Sequence, residues 1–425
     1  MIDLLLANVV TDSSQERVAV AVDDGYILAV GADLPYAAAQ VIDGNGCLLI
    51  PGFVESHFHL DIALSNDPQQ PGRPEPYVSM PGLNAAIERR RRAFTHDEIV
   101  ERATAALKMA LRHGTTAVRA QCHLDTEIGT KHIDALQCVK AAVAEWMTLQ
   151  IVAFPQQGLL RDPRTVDLFR TAFRRGADVM GGAANLEQGH TAREHIDAAF
   201  ALALEFGCDL DIHADLSLKP IVELEDLEVA YIARRTIETG YQGRVTVGHA
   251  CTLDSAAPAV AAAAIDLLRA AGITVTSQPD LYRLGREDRQ HVRRGLTRVK
   301  ELLAAGVNVT YASNNVRDAL RPFGNLDLLE EALILAYGAH MDTISELETL
   351  LHMSTTNAAR ALRLPRYGLQ PGCVADMVLL DAPSAAAAII GQAEKLYVFK
   401  AGKLCATNRR SNTLLVPAQP AGSSL

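Results

Sequence analysis

The chain has 425 residues and a formal net charge of −10, with 40 Lys and Arg against 50 Asp and Glu. That acidic balance argues against nucleic acid or an anionic membrane surface as a partner, and the length exceeds the roughly 250 residues of a bare (β/α)8 barrel by enough for a second small unit. With no run of eighteen apolar residues and no basic-then-apolar leader, a cytoplasmic protein is expected, and the seven scattered cysteines, lacking CxxC spacing, read as reduced thiols.

In chain order, Leu4 to Val10, Arg17 to Val22, Tyr26 to Val30 and Cys47 to Ile50 are short β-like runs separated by turns. The same texture returns in Asp376 to Leu380, Leu396 to Lys400 and Lys403 to Cys405. The two ends, 1–52 and 363–416, are expected to pair into one small β-sandwich, followed by a disordered tail over 417–425. Between them, β-like runs at 53–59, 115–121, 149–154, 177–183, 208–213, 244–249, 273–278 and 307–313 alternate with amphipathic helical stretches. Eight such units close a barrel, so the fold class is α/β, a (β/α)8 TIM barrel over 53–362 with the terminal β-sandwich beside it. Asp61 to Gly82 breaks the rhythm with Pro, Gly and Gln and reads as a lid or binding loop. The basic cluster Arg89 to Arg92 reads as the solvated face of a helix.

Histidines carry the chemistry. His57 and His59 follow the apolar run Cys47 to Val54, and two residues apart on a strand they share a face. A His-x-His pair alone is commonly a partly exposed pair. Here His213 and His249 also stand at the ends of β-like runs, and the C-terminal rim is where a barrel assembles its active site. Three imidazoles with an open position make a catalytic rather than a structural centre, suited to one divalent ion, zinc or iron.

The segments around His57 and His59 (Pro51 to Asp61), Leu149 to Gly158, Arg293 to Leu303, Ile237 to Ala250 and Asn315 to Asp327 resemble the amidohydrolase superfamily, in its branch holding cytosine deaminase and N-isopropylammelide isopropylaminohydrolase. The resemblance implies that His57, His59 and His213 bind metal and that His249 handles the proton of the attacking water. It also implies that Gln156 holds the substrate ring, and the lack of a lysine in 177–183 implies the mononuclear subtype.

Three positions depart from that pattern. Where the family has an aspartate that ligates metal and accepts a proton, this chain has Asn314, and an amide cannot act as that base. An Asp→Asn substitution, a natural variant with another proton path, and a catalytically silent relative all remain open. Leu216 replaces the glutamate of cytosine deaminase, while Asp215 matches the acid–base residue of the isopropylammelide enzyme; on a strand it would share the face of His213, either as an acid–base group or as a carboxylate orienting a metal histidine. The second barrel strand ends Gln121-Cys122-His123 where the relatives carry His-Val-Asp, and His123 is taken as a polar loop residue.

The expected activity is metal-dependent hydrolysis of a carbon–nitrogen bond in an amino- or alkylamino-substituted nitrogen heterocycle: a pyrimidine, a triazine or a creatinine-like ring. The metal would sit on His57, His59, His213 and Asn314, with His249 and Asp215 moving protons and Gln156 holding the ring. The alternatives are a hydrolase of a cyclic amide, urea or carbamoyl bond, and a non-catalytic heterocycle-binding relative. The partner is a small molecule, and homo-oligomerisation is left open.

Overall fold

The computed structural model describes residues 1–12, 14–66, 80–216, 220–278, 296–413 and 415. Most of the expected lid and the tail from 416 onward lie outside the described residues.

Strands β1 (Ile2–Thr11), β2 (Ser14–Asp23), β3 (Tyr26–Gly31), β4 (Ala38–Asp43) and β5 (Leu48–Pro51) come first. Then β6 (Phe53–Phe58), β7 (Thr115–His123), β8 (Thr148–Phe154), β9 (Val179–Ala183), β10 (Asp209–Ala214), β11 (Val245–His249), β12 (Thr274–Ser277) and β13 (Asn308–Tyr311) form one sheet in strict sequence order. Every neighbouring pair in it is parallel, with helices in the crossovers, as βαβ units require. Its free edges meet through a parallel bridge between Phe58 and Asn314. There Asn314 N donates to His57 O at 3.1 Å and His59 N donates to Asn314 O at 2.8 Å. The barrel therefore closes among the candidate metal ligands.

The chain ends supply the second unit, one mixed sheet built from β1 to β5 with β14 (Met377–Leu380), β15 (Lys395–Lys400) and β16 (Lys403–Thr407). Alternation along these strands splits two cores. Leu48, Ile50, Val378 and Leu380 join the barrel's apolar cluster, whereas Leu49, Met377 and Leu379 pack with Leu4, Leu6, Val20 and Phe399 on the other face. Among the described residues the one strand that sequence reasoning missed is β4, which buries only Ile42 and so lacks the alternation that reveals a strand.

Apolar branched side chains commonly fill a barrel of this kind, yet this interior is strongly polar. Arg119, 1% exposed, donates to Gln150 Oε1 at 3.1 Å, Thr246 Oγ1 at 3.2 Å and Ala361 O at 3.0 Å. Thr310 Oγ1 lies 2.9 Å from Thr276 Oγ1 and 3.1 Å from Ser56 Oγ. These buried side chains thus meet partners, which offsets their desolvation.

The basic cluster corrects one expectation. Arg91, in the helix Met80–Ala93, is 1% exposed and donates to Asp125 Oδ2 at 3.0 Å, so it is a buried ion pair and not part of a solvated face. Helical periodicity turned one of four consecutive arginines inward, where Asp125, distant in sequence, supplies the countercharge. None of the seven cysteines forms a disulfide with another. Among the described residues no helix is long and apolar enough to cross a membrane.

Gly52 joins the two units between β5 and β6, and a Cβ there would stand 2.3 Å from Thr116 Oγ1 and 2.4 Å from its Cγ2. Gly52→Ala should lower the unfolding free energy by about 1–3 kcal/mol through overpacking, read as a shifted urea midpoint. An unchanged midpoint would refute the close packing at this junction.

Candidate active site

Three strands deliver four histidines to the C-terminal rim. His57 lies in β6 and His59 directly after it, His213 lies in β10, and His249 ends β11. All four are buried. His213 Nε2 lies 3.0 Å from His57 Nε2 and 3.3 Å from His59 Nε2. His249 joins them, with a ring nitrogen within 4.8 Å of those of His57 and His213 and ring centroids 5.1 Å from His213 and 6.1 Å from His57. His249 and Ala250 have φ of 73° and 49°. Consecutive left-handed residues without glycine are strained and characteristic of functional sites.

His57 Nδ1 faces Asp211 Oδ1 at 3.2 Å, and Asp211 Oδ2 faces Arg119 Nη1 at 3.5 Å. A carboxylate against Nδ1 places the hydrogen there and leaves the Nε2 lone pair aimed at the other imidazoles. Nitrogens about 2.0–2.1 Å from one ion, at angles of about 90–110°, stand about 2.9–3.4 Å apart. Both measured separations lie in that range, and the donor set, neutral imidazole nitrogen, suits zinc or ferrous iron. The residues fit a catalytic divalent ion.

Two carboxylates frame this point. Glu55 accepts from His57 N at 3.3 Å and from Ser313 N at 3.0 Å, tying β6 to the residue before Asn314; burial raises its carboxyl to about 7 against the pull of those Ser313 and His57 contacts. Asp61 Oδ2 accepts from His132 Nδ1 at 2.6 Å, from His123 Nδ1 at 2.8 Å and from His123 N at 2.9 Å. Burial pushes Asp61 up, but the two histidines outweigh it and hold the carboxyl well below the usual range.

The sequence pattern of the amidohydrolase family matches residues 48–405. The chain belongs to the amidohydrolase family. It is a hydrolase acting on carbon–nitrogen bonds, as the relatives that it resembles over most of its length are named. N-isopropylammelide isopropyl amidohydrolase of Pseudomonas sp. (strain ADP) is 29% identical over 409 residues, 95% of this chain and 96% of its own length. Pterin deaminase of Rhizobium rhizogenes is 32% identical over 369 residues, covering 84% of this chain and 79% of its own. The crystal structure of 5-methylcytosine deaminase from Klebsiella pneumoniae liganded with 5-fluorocytosine superposes with a TM-score of 0.88 at 30% identity, over 96% of this chain and 99% of that one.

Within this amidohydrolase frame, two expected positions stand differently from their sequence reading. β10 ends at Ala214 and Asp215 turns with φ 53°, so strand alternation no longer aims it. Its Oδ2 accepts from Val229 N at 2.9 Å and its Oδ1 from Glu228 N at 3.2 Å, at the start of the helix Glu228–Glu238. Glu228 Oε2 accepts in return from Asp215 N at 2.8 Å. His123 is no loop residue: it ends β7, fully buried, with its ring stacked 5.4 Å from that of His59. Its Nε2 lies 3.1 Å from Gln156 Oε1, and Gln156 is half-buried beyond β8.

Sequence reasoning passed over Asp211, although it precedes His213 by two residues and strand alternation puts both on the inward face. Asp211→Asn should weaken metal binding about 10–100-fold, the usual cost of removing a carboxylate behind a ligand histidine. Zinc titration of the metal-free protein against a chromophoric chelator checks this, and equal affinities would show that Asp211 does not set the His57 tautomer.

Proposed function

We propose that this amidohydrolase removes ammonia or an amine from an amino- or alkylamino-substituted nitrogen heterocycle, using one divalent ion held by His57, His59 and His213 with Asn314 as a weak fourth contact. The observation that carries the reading is the approach of three imidazole Nε2 atoms to 3.0 and 3.3 Å at the rim of the barrel. The names of the similar proteins, an isopropylammelide hydrolase, a pterin deaminase and a 5-methylcytosine deaminase, support a ring bearing an exocyclic nitrogen. When bound, the ion supplies Lewis acidity and a nucleophile at neutral pH.

The chain's own residues divide the remaining work. Asn314 has no proton-accepting carboxylate, and the Asp215 carboxylate is engaged by backbone N–H groups of the helix Glu228–Glu238. That leaves His249, facing the same point from β11, to accept the proton of the attacking water and return it to the departing nitrogen. Asp215 then acts through structure: it anchors the turn that follows His213 to the helix behind it. Gln156 contacts the ring, and Phe154, with its centroid 4.4 Å from that of His213, supplies an apolar wall.

His249→Asn should lower kcat by about 10²–10⁴ while metal content stays constant, since general acid–base assistance is removed and the three ligands remain. Activity unchanged by that substitution would sink the proton assignment. The substrate reading is checked by following ammonia and amine release from a panel of aminopyrimidines, aminotriazines, pterins and cyclic amides, for the zinc- and iron-loaded chain and its Asn314→Asp variant. Release of ammonia or amine by the chain itself supports deamination with His249 as base. Release only by the aspartate variant would mark the natural site as disabled. Ring opening without ammonia or amine would replace deamination by cyclic amide hydrolysis, and binding without turnover by either form would mean a non-catalytic relative.

A further inference from the structure

The end of β12 carries a side chain that the proposed chemistry leaves unused. His213 pairs with Gly248 and Gly248 with Thr276 across β10, β11 and β12, and residues paired in a parallel sheet share a face. Thr276 Oγ1 lies 2.9 Å from Thr310 Oγ1 in the polar interior, so this face points inward. Two residues on, directly after β12, Gln278 takes the same face one step nearer the C-terminal rim. Gly248 makes room for it, because a Cβ there would stand 3.2 Å from Gln278 Nε2 and 3.3 Å from His57 Cε1. The amide and a proposed metal ligand thus flank one point on the inner wall, beside the strand end that carries His249.

Gln278 is 2% exposed, and neither its Oε1 nor its Nε2 has a hydrogen-bond partner. Among the described residues it is the one buried side-chain amide with both ends unpaired. Burying an amide in that state is costly, and native proteins keep such groups few. Packing does not require it, since methionine fills the same length with no amide to desolvate. An amide kept there despite that penalty, beside the metal point, has a ligand to meet. Its place around the barrel indicates which part of the ligand. β12 and β8 stand four strands apart in either direction round the closed sheet, with β6 and β10, the strands of the proposed metal ligands, midway on the two sides. Gln278 therefore stands across the metal point from Gln156.

We propose that Gln278 is a second substrate-gripping amide, set opposite Gln156, whose donor and acceptor pair with a ring edge offering the complementary two: a lactam N–H beside its carbonyl, or an exocyclic amino group beside a ring nitrogen. This rests on the heterocycle reading given above and adds a second edge to it. A neutral amide presents one donor and one acceptor side by side at any working pH and whichever way it is turned. A ring methylated at the nitrogen of that edge leaves half of the Gln278 amide without a partner, and an apolar residue at 278 does not distinguish the two rings.

The test uses the full chain loaded with zinc and reads dissociation constants by calorimetry beside the melting temperature of the ligand-free protein. Gln278→Met should bind the best ring in the panel about 10–100-fold more weakly, the loss of two hydrogen bonds, with zinc content unchanged. One N-methyl derivative of that ring should bind the wild type at least about 10-fold more weakly than the parent, and in Gln278→Met the same pair should lie within about 3-fold. The ligand-free melting temperature of the variant should equal or exceed that of the wild type, because no bond within the protein is lost. Gln278→Leu, shaped differently, should repeat these results, so that the misfit of one side chain is not read as lost bonding. A lower melting temperature in both variants gives Gln278 a structural partner and overturns the proposal. Unchanged ring affinity also overturns it, while turnover of that ring leaves the heterocycle reading standing. If no ring in the panel binds or is turned over, both fall.

Discussion

Nε2 of His213 stands 3.0 Å from that of His57 and 3.3 Å from that of His59, with the His57 lone pair directed inward by a hydrogen on Nδ1. Imidazole lone pairs do not gather at one point in a buried site without something to bind, because each has lost its water and meets another acceptor. The architecture follows from keeping them there. β6, the residue after it and β10 carry the proposed ligands, Asp211 faces His57 Nδ1, Arg119 balances Asp211, and the Phe58–Asn314 bridge closes the barrel beside them. Moving any of these strands by one residue would turn the imidazoles to the other face.

The polar interior of the barrel makes sense in that light. A floor of leucine and valine would pack well, but it would leave Asp211 without a countercharge. Arg119 spreads its donors over Gln150, Thr246, Asp211 and Ala361 O, reaching β8, β11, β10 and the chain after the last barrel strand. It therefore fixes the relative heights of strands that bear ligands or face them. The choice at position 314 has an electrostatic side as well. An ion held as proposed, by three neutral imidazoles and an amide, would keep its full charge, where an aspartate would cancel one unit. In the proposed mechanism greater acidity of the attacking water would offset the missing base, with His249 as the acceptor of the proton.

Much of this was legible before any coordinates. All eight barrel strands lie within a few residues of runs marked by hydrophobicity alone, because strands buried on both faces are short, apolar and bounded by turns. The four histidines were legible for a related reason: each falls at or just beyond the end of such a run. What the sequence hid depends on contacts distant along the chain. Arg91 looked solvated until Asp125 met it. His123 looked like a loop residue until Asp61, 62 positions away, extended β7 around it. Asp215 follows strand alternation on paper, but its φ of 53° and the N–H groups of Glu228 and Val229 take it elsewhere, and no pattern of residue types announces a left-handed turn at an aspartate.

The claim on which the account stands is that His57, His59 and His213 hold one ion, and X-ray absorption at the metal edge of the purified, metal-loaded chain tests it most directly. The account predicts one ion per chain with about three imidazole nitrogens at about 2.0–2.1 Å and a disordered first coordination sphere once His213 is replaced by alanine. A chain that takes up no stoichiometric ion, or an edge spectrum unchanged by His213→Ala, would contradict it.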